Sequence, residues 1–175
     1  MTQAAEELSL RWHNQLFGIR RSIRYHLRRR AFFERLDQLS NMFSVIFGST
    51  AIYGILDTNA KVLALASSAA VTVLASINLV VGSAQRARAH SDFVRQYVEL
   101  EKRMLVPSNE DCLLAIMADR LSIEAGEPPV LHVLNSICHN ELMRSMGYKK
   151  EELAKIGLAQ RLLAHFVDFR GNAIH

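Results

Sequence analysis

Residues 38–56 read QLSNMFSVIFGSTAIYGIL and residues 62–85 read VLALASSAAVTVLASINLVVGSAQ, with DTNAK (57–61) between them. Neither long stretch carries an acid or a base. The hydrocarbon core of a bilayer is about 30 Å thick and takes roughly 20 residues of helix at ~1.5 Å each. The first stretch, with 19 residues, just reaches, and the second, with 24, has slack for tilt. Lipid offers backbone polar groups no partner outside a helix or a closed barrel. Two such stretches joined by a five-residue polar turn therefore predict a transmembrane helical hairpin.

The flanking charge agrees. Arg11, Arg20, Arg21, Arg24, Arg28, Arg29, Arg30 and Arg35 precede the first stretch, and Arg86 and Arg88 follow the second. The turn holds one acid, Asp57, and one base, Lys61. By the positive-inside rule both ends face the cytoplasm and the turn lies outside, with Tyr53 near the outer interface. Anionic headgroups attract basic side chains at roughly 1 kcal/mol each, so Arg20, Arg21, Arg24, Arg28, Arg29, Arg30, Arg86 and Arg88 are candidate headgroup contacts. A soluble reading stays open beside this one. The stretches are rich in Ala, Ser and Gly, mean hydropathy over the chain is only +0.07, and a helical hairpin buried in an oligomer would look alike.

Ahead of the first stretch, Trp12, Leu16, Ile19, Ile23 and Leu27 recur at helical spacing, and Phe93, Tyr97, Leu100 and Met104 do so after the second. Either these stripes pack together as antiparallel continuations of the membrane helices, or the first lies flat on the inner leaflet. Beyond Pro107 three helices are expected. The first is capped at Ser108 with Asp111 and runs to about Glu124. The second spans about 129–146 and ends at Gly147, and the third starts at Glu151. The chain is thus read as all-α. Residues 1–106 form the hairpin and its cytoplasmic extensions, and residues 107–175 form a small three-helix bundle.

Composition restricts the chemistry. Cys112 and Cys138 lack metal-ligand spacing and would face a reducing compartment, so neither a disulfide nor a metal is expected. Residues 1–10 hold two acids and no basic start, unlike a secretory leader. Cys138, His139, Asn140 and Glu141 are consecutive, and helical neighbours point about 100° apart, so they cannot converge on one substrate. Their reading is a core cysteine followed by surface or interhelical contacts. Glu124 and Glu127 flank a turn, as a general-acid pair or as a solvated helix end. Glycines occur singly, with no phosphate-binding loop. No catalytic residue, metal or cofactor is expected. The arginine cluster lacks interleaved stacking aromatics, so nucleic acid is not the expected partner.

Within the second stretch, Ala64, Ser68, Thr72 and Ser76 recur at steps of four, with Asn78 nearby on another face. Small residues at this spacing let helices approach closely, and polar side chains at membrane depth face protein or water. The face either packs within the hairpin or lines a pore. Two helices cannot enclose a conduit, so a pore demands a homo-oligomer.

Arg24-Tyr25-His26-Leu27-Arg28, Gly48-Ser49 in the first stretch, and long flanking helices resemble the SLATT families of small bacterial proteins with two membrane helices. The tail resembles them too, in the segment 120–129 with Glu124, Glu127 and Pro128, and in Cys138-His139-Asn140-Glu141. The resemblance implies a membrane effector of nucleotide-signalling or other anti-phage systems, forming pores in the bacterial inner membrane. With no sensor domain attached, a separate sensor or nucleotide-signalling protein, or a ligand bound by the assembly, would supply the trigger. Two alternatives stand beside it: a membrane-anchored scaffold binding a partner through its helical tail, and a soluble helical oligomer of phage origin.

Overall fold

A computed structural model describes residues 3–56 and 60–169, and every element among them is helical. The expected turn at Asp57, Thr58 and Asn59 lies outside the described residues, as does Gly171. Helix α1 runs Gln3–Leu56, α2 Lys61–Val81 and α3 Ser83–Arg103. Helices α4 (Glu110–Glu124) and α5 (His132–Ser145), a 3₁₀ turn (Lys150–Glu152) and α6 (Leu158–Leu163) follow. By packing the chain forms two units. One is a helical unit of residues 1–29 and 90–175, the other residues 30–89.

In the helical unit the two apolar stripes meet. Ile19 packs with Tyr97, Leu100 and Met104, flanked by Trp12, Leu16, Ile23 and Phe93. Arg20 pairs with Glu101 and His26 with His90, so rising numbers on α1 meet falling numbers on α3, and the two run antiparallel. Helix α4 adds Ile116 and Ile123 to the same core. Helices α5 and α6 enclose a second core, in which Tyr25 of α1 joins Val133, Leu134, Cys138 and Ala164. The segments after Pro107 therefore bury their apolar faces on α1 and α3 as well as on each other.

Three local expectations need correction. The cap of α4 is Asn109 rather than Ser108: Asn109 is extended, and its side chain accepts the Cys112 N–H at 3.2 Å. The last helix does not start at Glu151. The Asn140 amide bonds both polar groups of the Ala154 backbone, at 2.7 and 3.0 Å, which withdraws Ala154 from any helical ladder. Helix α6 begins only after Gly157. Finally, the second apolar stretch is not one uninterrupted helix. Gly82 sits at φ 59°, ψ 44°, the left-handed region that side chains with a Cβ avoid, and it separates α2 from α3.

Among the described residues one helical run is long and apolar enough to cross a membrane. It lies within Lys61–Arg103, where α2 passes through Gly82 into α3, and its mean hydropathy is 2.0 over an 18-residue window that is 6% buried. Among the described residues α1 adds no second such run.

Candidate functional site

Helix α2 presents two different faces. Ala64 and Ser67 are buried, and Val71, Leu74 and Asn78 are half-buried, at alternating steps of three and four. Ser68, Thr72 and Ser76 are exposed. The row read as one face thus divides, with Ala64 inward and its three hydroxyl companions outward, because a straight row at steps of four drifts around a helix of 3.6 residues per turn. Each hydroxyl donates to the carbonyl four residues back: Ser68 to Ala64 at 2.8 Å, Thr72 to Ser68 at 2.9 Å and Ser76 to Thr72 at 2.8 Å. Their protons are satisfied without a neighbour, and their lone pairs remain open to a further donor. Asn78 lines a polar crevice of about 390 Å³ with Asp37, Ser40, Asn41 and Ser44.

The arginines take specific partners. Arg20 binds Glu101 at 2.7 Å, Arg24 the Ser145 hydroxyl at 3.2 Å, and Arg28 grips Glu141 through two nitrogens. Arg29 donates to the His165 carbonyl at 2.7 Å and Arg30 to Glu34 at 2.7 Å, while Arg86 lies over the Phe33 ring at 5.7 Å. Arg88 is exposed. Arg21 forms no hydrogen bond or ion pair among the described residues.

The four consecutive residues of α5 diverge as helical geometry requires. Cys138 is fully buried, and burial pushes its thiol up to about 12. His139 meets the Phe17 ring edge-on at 5.1 Å; burial and then Arg21 hold its imidazole below the ordinary value. Asn140 clamps Ala154, and Glu141 pairs with Arg28.

A buried polar relay, absent from the sequence reading, occupies the helical unit. His90 and His26 face each other through their Nδ1 atoms at 2.9 Å, and His26 Nε2 lies 3.0 Å from Glu127. Tyr97 donates its hydroxyl proton to the same Glu127 oxygen at 2.6 Å. A carboxylate only accepts, so His26 carries a proton on Nε2, and one further proton is shared between the facing Nδ1 atoms of His26 and His90. Burial raises the Glu127 pKa, yet hydrogen bonds from His26 and Tyr97, then the charges of His26 and Arg120, outweigh it and leave it below the ordinary value. Burial, with Glu127 beside it, drives Tyr97 the other way, well above the ordinary phenol. Only 1% of His26 and 3% of His90 is exposed, so the relay ends in packed core. Its chemistry is to fix α1 and α3 to the segment after α4. Glu124 and Glu127 take different partners: Glu124 takes Arg120 at 2.7 Å, while Glu127 takes His26 and Tyr97.

A cavity of about 330 Å³ adjoins the relay. Arg21, Ser22 and Tyr25 of α1 line it, together with Arg120 and Glu124 of α4, Glu127, and the wall Pro128-Pro129-Val130. Arg120 also holds Gln15 at 3.1 Å and lies so close to Gly18 that an added Cβ would stand 2.5 Å from its Nη1. A lone histidine between arginines on an apolar stripe was the available signal for the relay. Its partners lie 64 and 101 residues away in sequence, which no local pattern reveals. Comparison with protein-family models, with curated proteins and with solved structures finds no match for this chain.

Proposed function

We propose that this chain is a SLATT-type effector of a bacterial defence system, an oligomer that forms a pore in the inner membrane. Residues 38–56 and 62–85 are its two spans, both termini face the cytoplasm, and the segments after Pro107 form its small helical tail. The observation that carries this reading is the outward face of α2. Val62, Leu65, Leu79 and Val80 are each at least 74% exposed on a helix that also turns Ser68, Thr72 and Ser76 outward. Apolar surface of that extent needs lipid or protein to cover it. The exposed hydroxyl row supplies polar atoms where copies could enclose water. No catalytic reaction is assigned.

Expression of the protein with its trigger should depolarise the inner membrane, as read by a potential-sensitive dye. Thr72→Leu and Ser76→Leu should suppress the effect while the protein stays resistant to carbonate extraction. Undiminished depolarisation by both variants sinks the hydroxyl-lined pore, and none by wild type sinks the pore itself. A second reading, an anchored scaffold, is favoured by two observations. The hydroxyl protons are already satisfied within α2, and Leu158, Leu162 and Phe166 around α6 are largely exposed, as a partner-binding tail would need. In that case the same variants leave partner capture intact.

A further inference from the structure

The geometry points to a phosphate-binding pocket in the helical unit, in the cavity between Arg21 of α1 and Arg120 of α4, suited to the phosphate group of a small phosphoester. The site stands apart from the membrane reading, since every residue in it belongs to residues 1–29 and 90–175.

Charge accounting makes the case. Two arginines, Arg21 and Arg120, two acids, Glu124 and Glu127, and His26 face the cavity with Tyr25. Both acids are engaged, Glu124 by Arg120 at 2.7 Å and Glu127 by His26 at 3.0 Å and Tyr97 at 2.6 Å. Arg21 remains, half-buried, with no hydrogen bond or ion pair among the described residues. Burial and then the neighbouring Arg120 hold its guanidinium below the ordinary value, and the charge of Glu124 offsets them only in part. A partly desolvated cation without a partner is costly, and an arriving anion removes that cost.

Donor number selects the anion. Arg21 offers up to five N–H groups in a planar fork, and Arg120 keeps Nη2 beyond its bonds to Glu124 and Gln15. Tyr25 accepts the Leu131 N–H at 3.1 Å, which leaves its own hydroxyl proton to donate. Ser22 and Asn135 complete a polar floor. Three phosphate oxygens can use that many donors, whereas a carboxylate has only two oxygens. Pro128, Pro129 and Val130 give an apolar wall for the attached organic group, and about 330 Å³ lies within the range of small-molecule sites.

The test uses the full chain in detergent micelles, titrated calorimetrically with inorganic phosphate, adenosine monophosphate, a short-chain phosphatidate and acetate. Saturable binding of at least one phosphate compound, tighter than acetate, is expected, and the responding compound tells a soluble ester from a lipid headgroup. Arg21→Gln should weaken binding by roughly tenfold or more, as loss of a charge-assisted bond does. Arg24→Gln, outside this cavity, should not. Arg21→Gln should also melt no lower than wild type without ligand, because it relieves an unpaired charge. A purely structural Arg21 would instead lower the melting temperature. Should Arg21→Gln fail to fold, Gly18→Ala displaces Arg120 with every charge retained and should also weaken binding. Absence of saturable phosphate binding in wild type, acetate binding as tight as phosphate, or wild-type affinity in the folded variant overturns the site.

Discussion

The helical unit and residues 30–89 answer the same problem, covering an apolar helix face, in opposite ways. In the helical unit the apolar stripes close on each other, and polar groups such as those of the buried His90–His26–Glu127–Tyr97 relay pair across elements. In residues 30–89 the hydroxyls of Ser49, Thr50, Ser68, Thr72 and Ser76 bond their own helix, and large apolar side chains point outward. Water rewards the first design and penalises the second. Backbone-directed hydroxyls and an apolar exterior suit a medium without hydrogen-bond partners. The contrast fits the proposed placement of residues 30–89 in lipid.

The strongest way to break the comparison is to open the relay. Glu127→Ala leaves His26 and Tyr97 buried without their acceptor and should cost roughly 3 kcal/mol, as loss of one member of a buried ionic network does. Denaturant unfolding followed by circular dichroism reads it, and a cost near zero would mean the relay does not hold the unit together. Next comes the exterior of α2. Val73 is 57% exposed, and Val73→Arg should oppose insertion by about 2.5 kcal/mol or more at the middle of a span. Carbonate extraction of the variant checks this. If Val73→Arg changes neither extraction nor yield, α2 faces water and the proposed placement in lipid falls.

The third prediction concerns pH. The folded Glu127 pKa lies below its ordinary value, so its stabilisation is complete above the unfolded carboxylate value and is lost as pH falls through the lower folded value. The melting temperature should drop on acidification through that window, and Glu127→Gln should remove this component of the slope. A smaller effect sharpens the contrast between buried and surface pairs. Arg95 pairs with Asp92 at the surface, its side chain 80% exposed, and Arg95→Ala should change stability by no more than about 0.5 kcal/mol. The last is a rate: Cys138, fully buried and with its thiol pushed up to about 12, should be alkylated by iodoacetamide at pH 8 far more slowly than the partly exposed Cys112.

Much of the framework was legible from local pattern. The stripe through Trp12, Leu16 and Ile19 and the one through Phe93, Tyr97 and Leu100 follow from a period of 3.6, but periodicity left open whether they meet or the first lies on a membrane surface, and only packing shows that they meet. Gly147 ends α5 at φ 87°, as a glycine after a periodic run suggests. Gly82 went unread because it lies inside an uncharged stretch, where periodicity has no edge. The helix expected from Glu151 failed because propensity does not register a side chain arriving from elsewhere, and Asn140 takes both polar groups of Ala154.

By itself the sequence determined what depends on order along the chain: helices throughout, two uncharged stretches, amphipathic stripes and a basic flank. Only the tertiary structure decided which α2 hydroxyls turn outward, which arginines find acids, and that His26, His90, Tyr97 and Glu127 form one relay beside an Arg21 that has no ion pair among the described residues. These are contacts between residues far apart in sequence. Their energies depend on burial and on distances of a few ångströms, which folding sets and residue order alone does not display.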